Sequence, residues 1–83
     1  MKLWLLRPIK IHGDSLWNQW YDKAFGFVVR ANTEQEAREL ANEESGDEVY
    51  DEPDVWLKQK FTLCEELTTQ GESEVILRDF RQV

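Results

Sequence analysis

A single cysteine, Cys64, and a single histidine, His12, stand among the 83 residues. Neither an internal disulfide nor a four-ligand zinc site can be assembled from them. Long hydrophobic runs are scarce at the N-terminus, where Leu3 to Leu6 is closed by Arg7 and Pro8. Such a run is too short for a signal-peptide core or a membrane span, so a cytoplasmic protein is expected. Positive charge is in deficit: ten Lys and Arg face 17 Asp and Glu, for a net charge of −7. Direct binding to DNA or RNA, which relies on Lys and Arg neutralising phosphates, is therefore not expected. An anionic membrane surface is disfavoured for the same reason. Length is the last shortage. A doubly wound nucleotide-binding sheet needs several units of about 30 residues and a (β/α)8 barrel about 250, so a cofactor-binding enzyme fold is excluded. A single domain over residues 1–83, with no cofactor and no metal, is the expectation.

What is present is the composition of a folded chain: 41% hydrophobic, 12% aromatic and 33% charged. Residues 2–11 read as a first strand, with Pro8 suited to an edge, a bend or the strand's end. Residues 12–23 read as a loop carrying Trp17, Trp20 and Tyr21 at helical i, i+3, i+4 spacing. In residues 24–31, Phe25, Phe27 and Val29 alternate with Gly26, Val28 and Arg30, the pattern of a strand. Thr33 followed by Glu36 forms a capping box that opens a helix over residues 34–45, and Gly46 is expected to stop it at C′. Ala37, Leu40 and Ala41 make its apolar stripe. An acidic connection through Pro53 follows, then a strand around Phe61 to Leu67, a turn, and a last strand from Glu74 to Phe80. The expected fold is α+β in the order β-β-α-β-β, a mainly antiparallel four-stranded sheet with one helix packed on one face.

The charge is unevenly placed. Residues 1–30 carry net +3, residues 31–54 net −9 and residues 55–83 net −1. On a helical wheel Ala37, Leu40 and Ala41 span an arc of about 100°, while Glu36, Glu39 and Glu43 cluster within about 60° on one flank. Their axial spacing, about 4.5 and 6 Å, is of the order of the phosphate spacing along a nucleic-acid strand. Glu44, Asp47, Glu48, Asp51, Glu52 and Asp54 would extend the same acidic surface. Such a surface attracts a basic groove and speeds encounter with it. The competing reading is a solvated face that keeps a small protein soluble.

Other motifs fail on chemistry. Gly13-Asp14-Ser15-Leu16 spells a string found in one family of serine esterases, but the only histidine precedes the serine, whereas the base of that family comes late in a much longer chain. His12 has no second ligand nearby and reads as a loop histidine. Acidic neighbours would raise the pKa of Cys64, which reads as a structural thiol. Asp51-Glu52-Pro53-Asp54 lacks the calcium-loop pattern. Trp17, Trp20 and Tyr21, with Trp4 and Trp56, either fill a core short of aliphatics or anchor a protein interface. Arg7, Arg30 and Arg78 would form an anion site only if their strands were neighbours.

The run Trp20-Tyr21-Asp22-Lys23-Ala24-Phe25-Gly26-Phe27-Val28-Val29-Arg30-Ala31, with Thr33 to Arg38, Thr62 to Leu67 and Ile76 to Phe80, resembles small uncharacterised bacterial and phage proteins of this length. In format and charge the chain is similar to phage-encoded inhibitors of host defence, including anti-CRISPR proteins, several of which block DNA-binding surfaces with carboxylates. The resemblance implies a non-enzymatic inhibitor in the cytoplasm of a bacterial host. Its protein partner would be a CRISPR effector or another nucleic-acid-binding protein, with Glu36, Glu39, Glu43 and the acidic loop covering the basic site and Trp17, Trp20 and Tyr21 anchoring. The alternative expectation is a structural or regulatory module that self-associates as a weak homodimer through a sheet edge or the aromatic loop.

Overall fold

The computed structural model describes residues 1–9 and 22–79. Its elements in chain order are β1 (Lys2–Pro8), β2 (Phe27–Ala31), α1 (Glu34–Glu43), two short 3-10 helices (Asp47–Tyr50 and Val55–Leu57) and β3 (Thr62–Leu67). The sheet is antiparallel with order β2-β1-β3. The N-terminal strand is therefore the central one. Its run of Leu3, Trp4, Leu5 and Leu6 is explained by that position, since a central strand meets neighbours on both edges and apolar partners on both faces. Pro8 closes it, and Ile9 donates one further hydrogen bond to the Phe61 carbonyl at 2.8 Å.

Register assigns the two faces. Trp4 and Leu6 lie beside Val29, Phe27 and Cys64 on the side covered by α1. Leu3, Leu5 and Arg7 lie beside Arg30, Val28, Leu67, Glu65 and Leu63 on the other. The core of Trp4, Leu6, Ala31, Ala37, Ala41, Val55 and Trp56 sits between sheet, helix and the second 3-10 helix. Trp4 donates its indole N–H to the Ala31 carbonyl at 3.1 Å, and the Phe27 and Trp56 rings meet edge to face at 4.8 Å. Both contacts satisfy the geometric preferences of buried aromatics.

The start of α1 is the expected one: Thr33 is extended and its hydroxyl accepts the Glu36 N–H at 3.2 Å. The Glu36 carboxylate reaches back to the N–H of Asn32 rather than Thr33. The end differs. The helix stops at Glu43, where Glu44 and Ser45 donate to the carbonyls of Ala41 and Asn42 in a tightened last turn. Gly46 has a negative φ and is not a left-handed cap. It is needed for close approach instead, because a Cβ there would run into the Asp22 carbonyl and the Lys23 Cα.

Two expectations about the sheet are corrected. Glu74 to Asp79 form no strand, and Phe80 lies outside the described residues, so three strands are present among those described, not four. The apolar alternation of Val75, Ile76 and Leu77 is real, but these side chains stay exposed on a segment that lies against the sheet without pairing to it. The strand expected over 24–31 begins only at Phe27. The loop over 12–23, with Trp17, Trp20, Tyr21, His12 and Ser15, falls outside the described residues except for Asp22 and Lys23.

Candidate functional site

The helix is rotated relative to its expected stripe. Its buried side chains are Ala37, Arg38 and Ala41, whereas Leu40 is 39% exposed. Arg38, about 100° round the helix from Ala37 and outside that stripe, is 4% exposed. With about 100° per residue, the buried arc then points about 180° away from the mean direction of Glu36, Glu39 and Glu43. The glutamates lie on the side opposite the buried arc, with Glu39 and Glu43 exposed and Glu36 half-buried.

The cause is a set of buried hydrogen bonds. The guanidinium of Arg38 donates to the Glu34 carboxylate at 2.8 Å, to the Trp56 carbonyl at 3.0 Å, and to the hydroxyl and carbonyl of Thr62 at 2.8 and 3.1 Å. The Trp56 and Thr62 acceptors belong to the second 3-10 helix and β3, so Arg38 ties these two elements to α1. A planar fork of five donors fits this task where a lysine does not. Apolar helix positions as small as two alanines leave room for its aliphatic stem.

Glu48 is the second buried charge and is fully buried. Its carboxylate accepts the backbone N–H groups of Ala24 and Gly46 at 3.0 Å and the indole N–H of Trp56 at 2.7 Å. Asp47 adds a backbone bond to Asp22 at 2.6 Å. Glu48 therefore pins the stretch before β2 to the segment after α1. Trp56 is gripped at both ends, its indole N–H by Glu48 and its carbonyl by Arg38.

This rearranges the expected acidic surface. Glu48 is removed from it, because a carboxylate enclosed by three N–H donors is unavailable to a partner. Glu52 pairs with Lys58 at 2.6 Å, and Asp54, in a left-handed conformation, accepts from Asn42 at 3.1 Å. Asp47 is half-buried, and Asp51 is exposed. Glu39, Glu43 and Glu44 are exposed, Glu36 half-buried, and none of the four has an ion-pair partner among the described residues. Glu39 accepts only from Gln35, at 3.1 Å. The surviving patch is the outer face of α1 and its C-terminal end.

Arg7 and Arg30 share the sheet face away from α1 but stand four residues apart in register, about 13 Å along the strands. They do not converge. Arg78 lies on the exposed segment beyond β3. Among the described residues, no three His, Cys, Asp or Glu side chains gather as a metal site, and no helix is long and apolar enough to cross a membrane.

Cys64 is half-buried on the helix side of β3. Burial pushes its thiol up; Arg38 opposes this, and the carboxylates of Glu34 and Glu65 add to it. Of the adjacent carboxylates, Glu65 acts as expected, but burial is the larger cause. Alkylation by iodoacetamide at pH 8 is expected to be slower in the folded chain than in the denatured one, because only thiolate reacts. Equal rates, read by mass spectrometry, would show that the thiol is neither enclosed nor shifted.

Compared with known protein families, curated proteins and solved structures, the chain matches none. Arg38 and Glu48 are what the sequence reading missed. The one signal was that Arg38 is the sole basic residue between positions 31 and 54 and adjoins the Ala37 and Ala41 stripe.

Proposed function

We propose that the chain is a non-enzymatic binding protein whose outward helix face occupies a basic, nucleic-acid-binding surface of another protein. The observation that carries this is the direction of Glu36, Glu39 and Glu43, opposite to the buried arc, with no cation beside them among the described residues. Unpaired carboxylates on a rigid helix at near-phosphate spacing offer a basic groove what a nucleic-acid backbone offers it. The concrete form is an inhibitor of a nucleic-acid-handling defence effector, as the likeness to anti-CRISPR proteins in format and charge suggests. Arg38 holds the face by fixing the helix's rotation.

The test is capture from nuclease-treated bacterial lysate with wild type and a Glu36→Gln, Glu39→Lys, Glu43→Lys variant. Glutamine is used at position 36 because that side chain also accepts from Asn32. A nucleic-acid-binding protein held by wild type should be lost by the variant, with association slowed about tenfold or more at low salt. Retention and salt dependence that are the same for both folded proteins would rule the reading out.

A further inference from the structure

A groove of about 320 Å³ lies between the sheet face away from α1 and residues 77–79. Its floor is the buried Leu5, and its walls are Phe25, Val28 and Leu77, all three exposed. Two charged side chains complete the lining, Arg7 near the end of β1 and Asp79 on the segment that lies against the sheet. Among the described residues neither side chain has a hydrogen-bond or ion-pair partner, and they do not pair with each other. Arg7 is nonetheless held in place. Gly26 stands one step beyond the Leu6–Phe27 pair of the ladder, and a Cβ there would come to 2.9 Å from both the Arg7 Cδ and the Leu6 carbonyl oxygen. The missing side chain is what lets the arginine stem lie across the approach to β2 with its guanidinium at the groove.

We propose that this groove binds a small zwitterion with an apolar body, and that apolar α-amino acids are the class it takes. Charge makes the selection. A simple anion drawn to Arg7 would meet Asp79, and a simple cation drawn to Asp79 would meet Arg7. A molecule that carries a carboxylate and an ammonium a few ångströms apart answers both, the carboxylate accepting from the guanidinium fork and the ammonium donating to Asp79. Its apolar side chain then lies over Leu5 between Phe25, Val28 and Leu77 and removes their surface from water. Size agrees with this class, since the groove is at the small end of the range of about 300–1,000 Å³ for small-molecule sites.

Such a ligand bridges two parts of the fold. Among the described residues, the segment over 74–79 makes no backbone hydrogen bond to the sheet. A molecule held between Arg7 and Asp79 therefore supplies polar contacts that tie the segment to β1. The groove and the glutamates of α1 lie on opposite sides of the sheet and share no residue, so either reading can fail while the other stands.

Titration of the isotope-labelled full chain with L-phenylalanine up to about 20 mM, followed by amide NMR, should give saturating shifts at residues 25–28 and 77–79 with a Kd of about 0.5–5 mM. Phenylalaninamide, which lacks the carboxylate, and N-acetyl-phenylalanine, which lacks the ammonium, should each bind about tenfold more weakly. Arg7→Gln should weaken phenylalanine about fivefold or more and no longer distinguish it from the amide. Asp79→Asn should do the same and no longer distinguish it from the N-acetyl compound. Equal shifts with all three compounds would mean that the ring merely touches apolar surface, and would overturn the inference. Shifts that do not saturate, saturation at amides elsewhere in the chain, or variants that bind as wild type does would also overturn it. The comparison of the three compounds is made on the wild-type chain, so it decides the matter even if Arg7→Gln disturbs the fold.

Discussion

Arg38→Ala is expected to lower the unfolding free energy by about 3–5 kcal/mol, measured by urea denaturation followed through tryptophan fluorescence. A domain of this length holds roughly 4–12 kcal/mol in total, so the loss removes a large share of it. The cost does not come from the ion pair with Glu34. That carboxylate is partly exposed, and such pairs contribute about 0–1 kcal/mol. It comes from the Trp56 and Thr62 carbonyls, which stay buried with a donor removed, at about 1–3 kcal/mol each. Arg38→Met, which keeps most of the volume, is therefore expected to be nearly as damaging as alanine. Arg38→Lys should fall between, since an ammonium cannot reach acceptors on both elements at once. If methionine were tolerated with little loss, packing of the stem would be the main contribution and the hydrogen bonds incidental.

Glu48→Ala should cost a similar amount, about 3–5 kcal/mol, by leaving the N–H groups of Ala24 and Gly46 and the indole N–H of Trp56 facing an empty site. Glu48→Gln isolates the chemistry at constant shape. The carboxylate accepts on both oxygens, whereas an amide accepts on one and donates on the other. Its NH2 must then oppose either the backbone donors or the indole, so a loss of about 2–3 kcal/mol is expected. Trp56→Phe on the glutamine background removes the opposing indole N–H. The double variant should be less destabilised than the two single losses added, with a coupling of about 1–2 kcal/mol. Additive losses would mean that Trp56 and Glu48 act independently.

These two side chains also show where sequence reading stopped. The strands at Lys2–Pro8, Phe27–Ala31 and Thr62–Leu67 and the helix from Glu34 announced themselves through alternation, β-branched and aromatic content and the Thr33 cap. All are local signals, readable within a few residues. The final strand failed because alternation reports only that one face is apolar, and pairing also requires a neighbour in register. The helix rotation failed for a related reason. Periodicity put Leu40 in the apolar stripe, yet Leu40 is exposed and Arg38 buried, because the acceptors for Arg38 lie 18 and 24 residues away. Among the acidic positions, Glu48 was indistinguishable from Asp47, Asp51 and Glu52 in composition. Only the convergence of donors from Ala24, Gly46 and Trp56 sets it apart.

The sequence by itself determined the class of fold, a small α+β unit, along with the helix start and the concentration of negative charge between residues 31 and 54; the first strand, read over residues 2–11, ends at Pro8. The first three follow from backbone preferences or from counting charges, neither of which needs long-range contacts. The tertiary structure decided which strand is central, which arc of the helix is buried, which carboxylates remain on the surface and which sheet face α1 covers. Those outcomes depend on satisfying buried donors and acceptors between segments far apart in the chain, and desolvation makes an unpaired polar group costly enough to override a local apolar stripe.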